Sequence, residues 1–508
     1  MDVVIAASVL AVCALMIMAA ARVVRRSSLK SKKTLPPSPF SLPFLGSLPF
    51  VDPAGLHLTL RKWALKYGNI FSCYLGPKVY IVLNDFRLVK QILHASCEVF
   101  GGRPNFFLTQ MSLKKDEPFS KGIVLNEGEA WKVHRRFAQK VFRDFGVGTN
   151  VFEQVINEEA VALCNDFEQE CGKPFDNTWL IKKAVGNVIA YILFGTRFSH
   201  EDENFRHTVK FIDQTIEENM ASSALLNFFP WLRYIPPFSR QYQSLRKELE
   251  HFRQRKAMLI KGRGELPVHD ASVQNYVDAF LSHMETTKDP YFTDFQMRQC
   301  VGEIFAAGFA TTASTIRWIL LYIAIHRDIQ DAIHAELDKH VGLTRQLQWS
   351  DRSSLTFLEA TILESQRLAT VVPFLIPRRT LQNTTIGEYY IPADTVLLPN
   401  AWYIHHDPQL FPEPDKFCPS RFIGPDGHVK IPEGFLPFGT GIRVCPGENL
   451  AKMELLLFVG TLLQNFDVSL PAGVVPDLSP STGSTYDAKP YQIVISKRTI
   501  CPEQNQPE

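Results

Sequence analysis

A loop near the C-terminus, followed directly by an apolar helix, constrains this 508-residue chain more than any other stretch. Residues 435–460 read FLPFGTGIRVCPGENLAKMELLLFVG. They fit the pattern F-x-x-G-x-R-x-C-x-G through Phe438, Gly441, Arg443, Cys445 and Gly447. At ordinary usage frequencies, five specified residues coincide by chance in on the order of one chain in ten thousand. The pattern therefore indicates a loop built around Cys445.

The chemistry of a thiolate ligand explains why these residue types occur together. A thiolate that binds iron needs backbone donors aimed at its sulfur, and glycines permit that close approach. The start of a helix adds the positive end of its dipole, which stabilises the anion. An inert buried thiol is the simplest alternative, and the loop context disfavours it. A dinucleotide-binding loop starting at Gly439 and Gly441 is excluded, because Val444 occupies the third glycine position.

The loop resembles the haem-binding loop of the cytochrome P-450 superfamily, in which a cysteine thiolate ligates the haem iron. By this resemblance, haem b is the cofactor and Cys445 is the metal ligand. The other haem-binding residues of the loop are Phe438, Gly439, Arg443 and Gly447. The resemblance implies a mainly α, helix-rich single domain with a small β-sheet region, preceded by an N-terminal transmembrane helix. Among the branches of the superfamily, the chain looks most like the animal microsomal group that hydroxylates drugs, steroids and fatty acids.

The resemblance also implies the reaction. A haem-thiolate monooxygenase inserts one oxygen atom from O2 into a lipophilic organic substrate, with electrons from NADPH that arrive through NADPH–cytochrome P-450 reductase. Cytochrome b5 is a second candidate partner. Two alternatives stay open: an isomerase or dehydratase acting on a lipid peroxide without a reductase, and a non-catalytic haem- or ligand-binding membrane protein. The balance of 54 Lys and Arg against 52 Asp and Glu argues against a nucleic-acid partner.

A structural ion cluster is expected upstream of the loop. Glu364 and Arg367 lie three residues apart on one face of a predicted helix, and the resemblance implies Arg421 as their third partner. Alone, such a pair carries little information, because surface pairs with this spacing are common. Ser420 departs from the family pattern, which usually has Glu there, but the arginine is retained.

Two other segments offer groups that bind the carboxylates of a haem. Trp131 and Arg135 form W-x-x-x-R on one helical face, where an indole N–H and a guanidinium can both donate to a propionate. By resemblance Arg378 is a further propionate ligand, with Arg379 as the alternative. The helix of Trp131 also has a basic face, which is either a solvated surface or a docking site for an acidic reductase. That face consists of Lys132, Arg136, Lys140 and Arg143.

A long apolar helix over about residues 292–326 is predicted to form the distal wall of the haem site. By resemblance Thr311, with Thr312 beside it, helps to deliver protons to dioxygen. Ala310 replaces the usual acid, so we hypothesise that waters route protons from Glu303, roughly 10 Å away by helical rise, or that Thr311 and substrate hydroxyls suffice. The alternative is a buried helix bent at its Gly/Thr sequence. An apolar pocket is expected from Phe305, Ala306, Ala307 and Phe309.

The N-terminus contains a stretch long enough to span a bilayer. Val3–Ala21 are nineteen apolar or small residues without a charge, about 28 Å long as a helix. Basic residues follow, which places the body in the cytosol and, by resemblance, on the endoplasmic reticulum membrane as a single-pass protein. We expect an anchor at 1–22, a basic and Pro-rich linker at 23–50 and a haem-thiolate catalytic domain at 51–508. A cleaved signal peptide is disfavoured, because a basic n-region is lacking.

Overall fold

The structure, a computed structural model, describes residues 34–52, 54–95, 97–111, 122–198, 202–212, 224–264 and 275–498. The predicted membrane anchor, 1–22, lies outside the described residues, as does the basic half of the predicted linker. Helices make up most of what is described, in agreement with the spacing of apolar side chains. The helices are α1 (Leu56–Tyr67), α2 (Phe86–His94), α3 (Cys97–Phe100), α4 (Phe107–Gln110), α5 (Gly128–Asp144), α6 (Asn150–Glu168), α7 (Thr178–Phe194), α8 (Glu203–Phe211), α9 (Ala224–Phe228), α10 (Phe238–Gly264), α11 (Tyr276–Thr287), α12 (Asp294–Ile325), α13 (Arg327–His340), α14 (Thr356–Ala369), α15 (Ala401–His405) and α16 (Glu448–Asn465).

The strands are short and form small sheets. They are β1 (Ile70–Leu75), β2 (Lys78–Leu83), β3 (Arg378–Arg379), β4 (Thr384–Ile386), β5 (Tyr389–Ile391), β6 (Val396–Pro399), β7 (Phe466–Ser469), β8 (Pro480–Thr482), β9 (Tyr486–Ala488) and β10 (Val494–Lys497). The main sheet has the order β1-β2-β6-β3, with β2 and β6 parallel and the other neighbours antiparallel. β1 and β2 form an antiparallel hairpin, and Gly76 in its turn has a φ of 62°. The mainly helical fold with a minor sheet region is confirmed.

Helix α12 packs against α7, α14 and α16 in the main core. It begins with a capping box, in which the Thr293 hydroxyl accepts from the Gln296 N–H and the Gln296 side chain accepts from the Thr293 N–H. Gly308 lets α7 approach, because an added Cβ would lie 2.7 Å from Cδ1 of Ile189. Among the described helices, α12 alone has the length and composition to cross a membrane, yet 67% of its most apolar stretch is buried within the protein. It is therefore a core helix.

The described part of the predicted linker is attached to the body. The carbonyl oxygen of Pro37 accepts from the Ser72 N–H, and that of Pro36 accepts from the Ser72 hydroxyl, both at 2.8 Å. Further along, the Ser47 N–H donates to the Tyr74 carbonyl oxygen at 2.6 Å. Proline lacks an N–H, so this segment offers mainly carbonyl oxygens to the edge of β1. The proline-rich stretch thus follows the sheet edge.

Candidate active site

The loop before α16 closes on itself around Cys445. The Cys445 N–H donates to the Phe438 carbonyl oxygen at 3.0 Å, and Gly441–Arg443 form a single 3-10 turn. Helix α16 begins at Glu448, with Gly447 as its N-cap residue. Cys445 therefore lies just before a helix N-terminus, as the pattern predicts.

Two positions of the loop require glycine for different structural reasons. Gly441 has a φ of 79° and lies against α2, where an added Cβ would be 2.1 Å from the Leu93 carbonyl oxygen. Gly447 approaches the sulfur, since a Cβ there would lie 3.9 Å from Cys445 Sγ. Burial raises the pKa of the Cys445 thiol, and a hydrogen bond from the Gly447 backbone opposes this rise. Gly441 thus seats the loop, while Gly447 supplies a donor to the sulfur.

One cavity connects the loop to α12. Its wall includes predicted residues from both elements: Glu303, Thr311, Thr312, Phe438, Gly439, Cys445 and Gly447. Apolar side chains cover other parts of the wall, among them Ile123, Ile304, Ala307, Val371 and Leu375. The structure therefore places the cysteine and Thr311 on the same largely apolar cavity, as a site for a hydrophobic ligand requires.

The aromatic residues of α12 pack away from this cavity, so the expected lining was wrong for them. Phe305 and Phe309 are buried and stack with 6.0 Å between ring centroids, and Phe305 also meets the ring of Phe205 on α8 at 6.4 Å. Ala307 does line the cavity, whereas Ala306 packs against the core. The physical reason is the helical period, which puts Ala307 and the phenylalanines on different faces.

Trp131 and Arg135 reach the loop from α5. Arg135 Nη2 donates to the Val444 carbonyl oxygen at 2.6 Å. The Arg443 guanidinium lies 4.0 Å from the centre of the Trp131 ring, a cation–π contact that joins helix and loop. Trp131, Arg135 and Arg443 are buried and line the cavity. The structure thus brings together the side chains that the sequence predicted separately.

Arg103 belongs to the same group and was missed by the sequence reasoning. It is buried, lines the cavity and donates to the carbonyl oxygens of Val124 and Ile376 at 2.8 Å each. Burial, followed by the positive charges of Arg378 and Arg443, lowers the pKa of Arg103. Its only sequence signal is one arginine after two glycines, which no recognised pattern marks.

The structure distinguishes Arg378 from Arg379. Arg378 is buried and lines the cavity. Arg379 instead donates to the Glu127 carboxylate at 2.7 and 2.9 Å and pairs with Asp394 at 3.3 Å. Neighbouring residues of a strand point to opposite faces, so β3 presents one of the two to the cavity. Arg378 is that residue.

The hydroxyl groups of α12 have separate partners. Thr311 Oγ donates to the Ala307 carbonyl oxygen at 2.8 Å, within its own helix. Thr312 Oγ donates to the Glu454 carboxyl group of α16 at 3.4 Å. Glu454 was not predicted, because a glutamate inside an apolar helix has no motif of its own.

Glu303 is bonded to the backbone of the segment that follows residue 121. Its Oε2 accepts from the Ile123 N–H at 2.5 Å and from the Val124 N–H at 2.7 Å. Hydrogen bonds to a carboxylate stabilise its ionised form. The geometry therefore gives Glu303 an anchoring contact that the sequence did not predict, and its part in proton supply stays a prediction.

The predicted ion cluster is present in the core. The Glu364 carboxylate accepts two hydrogen bonds from Arg367 at 2.7 and 2.9 Å and one from Arg421 at 3.0 Å. Glu364 and Arg367 are 0% exposed. Arg367 also donates to the carbonyl oxygens of His405 and Pro414 at 2.7 and 2.8 Å. The cluster thereby ties α14 to the segment that precedes the loop.

His405 links this cluster to the loop and was also missed. Its Nε2 accepts from the Leu436 N–H at 2.9 Å, and its Nδ1 lies 2.9 Å from Thr370 Oγ. Because that hydroxyl donates to the Arg367 carbonyl oxygen, the Nδ1-protonated tautomer satisfies every contact. Burial, then the charges of His406 and Arg367, lowers the pKa of His405 and keeps it a neutral acceptor.

These residues fit a haem. Four buried arginines line one cavity, where burial and then the charges of Arg378 and Arg443 lower the pKa of Arg103, and such a group suits anions such as the two haem propionates. Cys445, with a backbone donor directed at its sulfur, suits an iron ligand. Fold and site together define a haem-thiolate protein.

Comparison with known proteins identifies the family. The family model for cytochrome P450 matches residues 36–495, so the chain belongs to that family and is a haem-thiolate monooxygenase. It is similar to rat cytochrome P450 2U1 (35% identity, 464 residues, 90% of this chain and 86% of that protein). It is also similar to chicken cytochrome P450 2H2 (34%, 93% and 95%) and rabbit cytochrome P450 2J1 (34%, 92% and 92%). The predicted resemblance to animal members of the family is confirmed.

Proposed function

We propose that this protein is a membrane-anchored monooxygenase that oxidises lipophilic organic substrates, with electrons from NADPH delivered by NADPH–cytochrome P-450 reductase. The observation that carries the proposal is that Cys445 and Thr311 share one largely apolar cavity. An apolar wall favours substrates that gain by leaving water.

In this proposal each of the following residues, all of which line the cavity, has a stated task. When bound, haem supplies the reductive activation of dioxygen. Cys445 holds the iron as a thiolate, and Thr311 holds and passes protons through its hydroxyl oxygen. The propionates are bound by Trp131, Arg103, Arg135, Arg378 and Arg443. The loop is shaped by Phe438, Gly439 and Gly447.

A basic patch on α5 is the proposed docking surface for the reductase, with cytochrome b5 as a second partner. Its side chains are exposed, whereas Trp131 and Arg135 of the same helix are buried against the loop. The patch consists of Lys132, Arg136, Lys140 and Arg143. A positive surface beside the haem loop steers an acidic partner by electrostatic complementarity.

The membrane proposal rests on the N-terminal apolar stretch and on exposed aromatic side chains. Phe40 and Phe44 are 70% and 56% exposed, and Trp231 and Tyr234 are 56% and 72% exposed. The segment that carries Phe40 and Phe44 and the segment that carries Trp231 and Tyr234 both approach Gly76. The Gly76 N–H donates to the Leu45 carbonyl oxygen, and an added Cβ at Gly76 would lie 2.9 Å from Cβ of Phe228, the last residue of α9. Aromatic side chains of this kind suit a bilayer interface. We accordingly propose an endoplasmic reticulum protein with the cytosolic body at 51–508, the linker at 23–50 and the anchor at 1–22.

The thiolate assignment is tested by the absorption spectrum of the dithionite-reduced, carbon monoxide-bound protein. The wild type should show the shifted Soret band of a thiolate ligand, and Cys445→Ala should lose it. Cys171→Ala is the matched control, because Cys171 is a partly exposed thiol on another part of the chain, and it should keep the band. A colourless, folded wild-type protein would contradict the proposal.

The electron source is tested by reconstitution with purified reductase in lipid vesicles. Substrate-dependent NADPH consumption should require reductase, and the charge reversal Arg136→Glu should weaken it more strongly at low salt than at high salt. Turnover of a lipid hydroperoxide without NADPH would favour the alternative of an isomerase or dehydratase that needs no reductase. Ala310, at the position where the family usually has an acid, is the sequence feature that supports this alternative.

A further inference from the structure

A buried carboxyl group on α16 lines the haem cavity. Glu454 lies nine residues after Cys445, and its side chain is 1% exposed. The cavity wall includes Glu454 together with Thr311 and Thr312 of the facing helix α12. The buried acid and the two hydroxyl groups therefore border the same space.

Glu454 is weakly bonded for a buried acid. Thr312 Oγ lies 3.4 Å from its Oε2, which is long for a hydrogen bond between oxygens. Its Oε1 is buried without a hydrogen-bond partner in the described part of the chain. Burial raises the pKa of Glu454 to about 8, and the Thr312 hydroxyl only partly opposes the rise. At neutral pH the group is therefore mainly a neutral acid that carries a proton.

The other candidate positions, both on helix α12, lack that property. Ala310, at the position where the family pattern has an acid, has no titratable group. Glu303 accepts two backbone N–H groups, from Ile123 and Val124, which favour its ionised form. Glu454 thus stands out as a proton carrier next to a hydroxyl that reaches the cavity.

We infer that Glu454 is a proton-holding residue of the reaction, which supplies protons to the cavity through the Thr312 hydroxyl. The inference deepens the proposed monooxygenase function and rests on it. In the step, the Thr312 hydroxyl first turns from Glu454 Oε2, to which it donates, towards the cavity. The Glu454 O–H bond then breaks and its proton goes to Thr312 Oγ, while the Thr312 hydroxyl proton passes to the oxygen of a water molecule in the cavity. The Glu454 carboxylate is re-protonated by the reverse transfer from a later water molecule, so proton and charge are conserved over each cycle.

In a purely structural interpretation, Glu454 only links α16 to α12 through its contact with Thr312. The two readings differ in what Glu454→Gln does, because glutamine keeps the shape and a hydrogen-bonding group but has no acid proton. If Glu454 is only a structural link, Glu454→Gln should leave the peroxide formed per NADPH and the solvent isotope effect unchanged. If Glu454 is a proton source, Glu454→Gln should alter both. Glu159→Gln is the matched control, since Glu159 is another buried acid with a raised pKa, and it bonds Asn187 outside the cavity.

The experiment combines infrared spectra with reconstituted turnover. At pH 7 the wild-type minus Glu454→Gln infrared difference should contain the C=O stretch of a protonated carboxylic acid. With reductase, Glu454→Gln should keep the carbon monoxide spectrum but raise the peroxide formed per NADPH by about tenfold and change the solvent isotope effect. Glu454→Asp should restore part of the coupling, and Glu159→Gln should match the wild type in coupling.

Thr312→Val provides a second test that does not depend on the stability of the glutamine variant. It should keep the infrared acid band, because Glu454 is intact, yet show the same loss of coupling. The inference is overturned if the acid band is absent from the difference spectrum, or if Thr312→Val or a folded Glu454→Gln couples like the wild type. A wild type without the thiolate spectrum would instead refute the proposed function itself.

Discussion

Changing Glu364 to Gln should destabilise the protein more than any exposed charge change, because the variant leaves Arg367 buried with too little negative charge. Glu364 accepts three hydrogen bonds from Arg367 and Arg421 and one from the Cys418 N–H at 2.9 Å. Breaking a buried pair by removing one charge costs about 3–5 kcal/mol. That is a large share of the roughly 5–15 kcal/mol that stabilises an ordinary domain.

The loss is measurable by urea unfolding of the haem-loaded protein. With a denaturant slope of about 3 kcal/mol per molar, the midpoint should fall by about 1–2 M. Circular dichroism and the carbon monoxide spectrum should be followed together, because the cluster also holds the segment before the haem loop. Glu129→Gln is the control: Glu129 and Lys132 form an exposed pair at 3.1 Å, worth about 0–1 kcal/mol. A Glu364→Gln variant within 1 kcal/mol of the wild type would refute the reasoning.

Three other changes have defined outcomes. Burial lowers the pKa of His134 to about 4 from an ordinary 6.5. The roughly 3 kcal/mol of folding stability linked to this shift is therefore present above pH 6.5 and is lost as the pH falls to 4. The variant His134→Phe should show a weaker pH dependence of the urea unfolding midpoint than the wild type. Gly441→Ala should abolish the carbon monoxide band through its clash with Leu93, whereas Gly427→Ala, at a φ of 78° with open space around it, should cost only about 1 kcal/mol. Glu303→Gln should raise KM by loosening the segment it anchors, with coupling unchanged; strong uncoupling would instead support a role in proton supply.

Sequence patterns were sufficient where the chemistry is local. The loop around Cys445 was predictable because its glycines, arginine and cysteine are close together in the chain and serve one ligand. Arg103 and His405 were missed because their partners are far away in sequence: Arg103 bonds Ile376, and His405 bonds Leu436. A single arginine or histidine gives no signal until the fold brings such partners together.

The direction in which a side chain points was the second property that the sequence alone did not predict. The apolar run of α12 predicts a buried helix on nearly all sides, so no period marks the side that meets the cavity. Phe305 was therefore assigned to the pocket although it packs on α8. The same limit left Arg378 and Arg379 undecided, because strand alternation says that they differ in direction without saying which one faces the site.

A newly made polypeptide has its four-arginine group before it has haem. The guanidinium groups of Arg103, Arg135, Arg378 and Arg443 are buried, and burial and then the charges of the other three lower the pKa of Arg103, so in the proposed function bound propionates would relieve this repulsion. We therefore expect iron and porphyrin supply to govern the lifetime of this protein in the cell. Chains starved of haem should open in this region, expose it to proteases and be degraded faster than loaded ones.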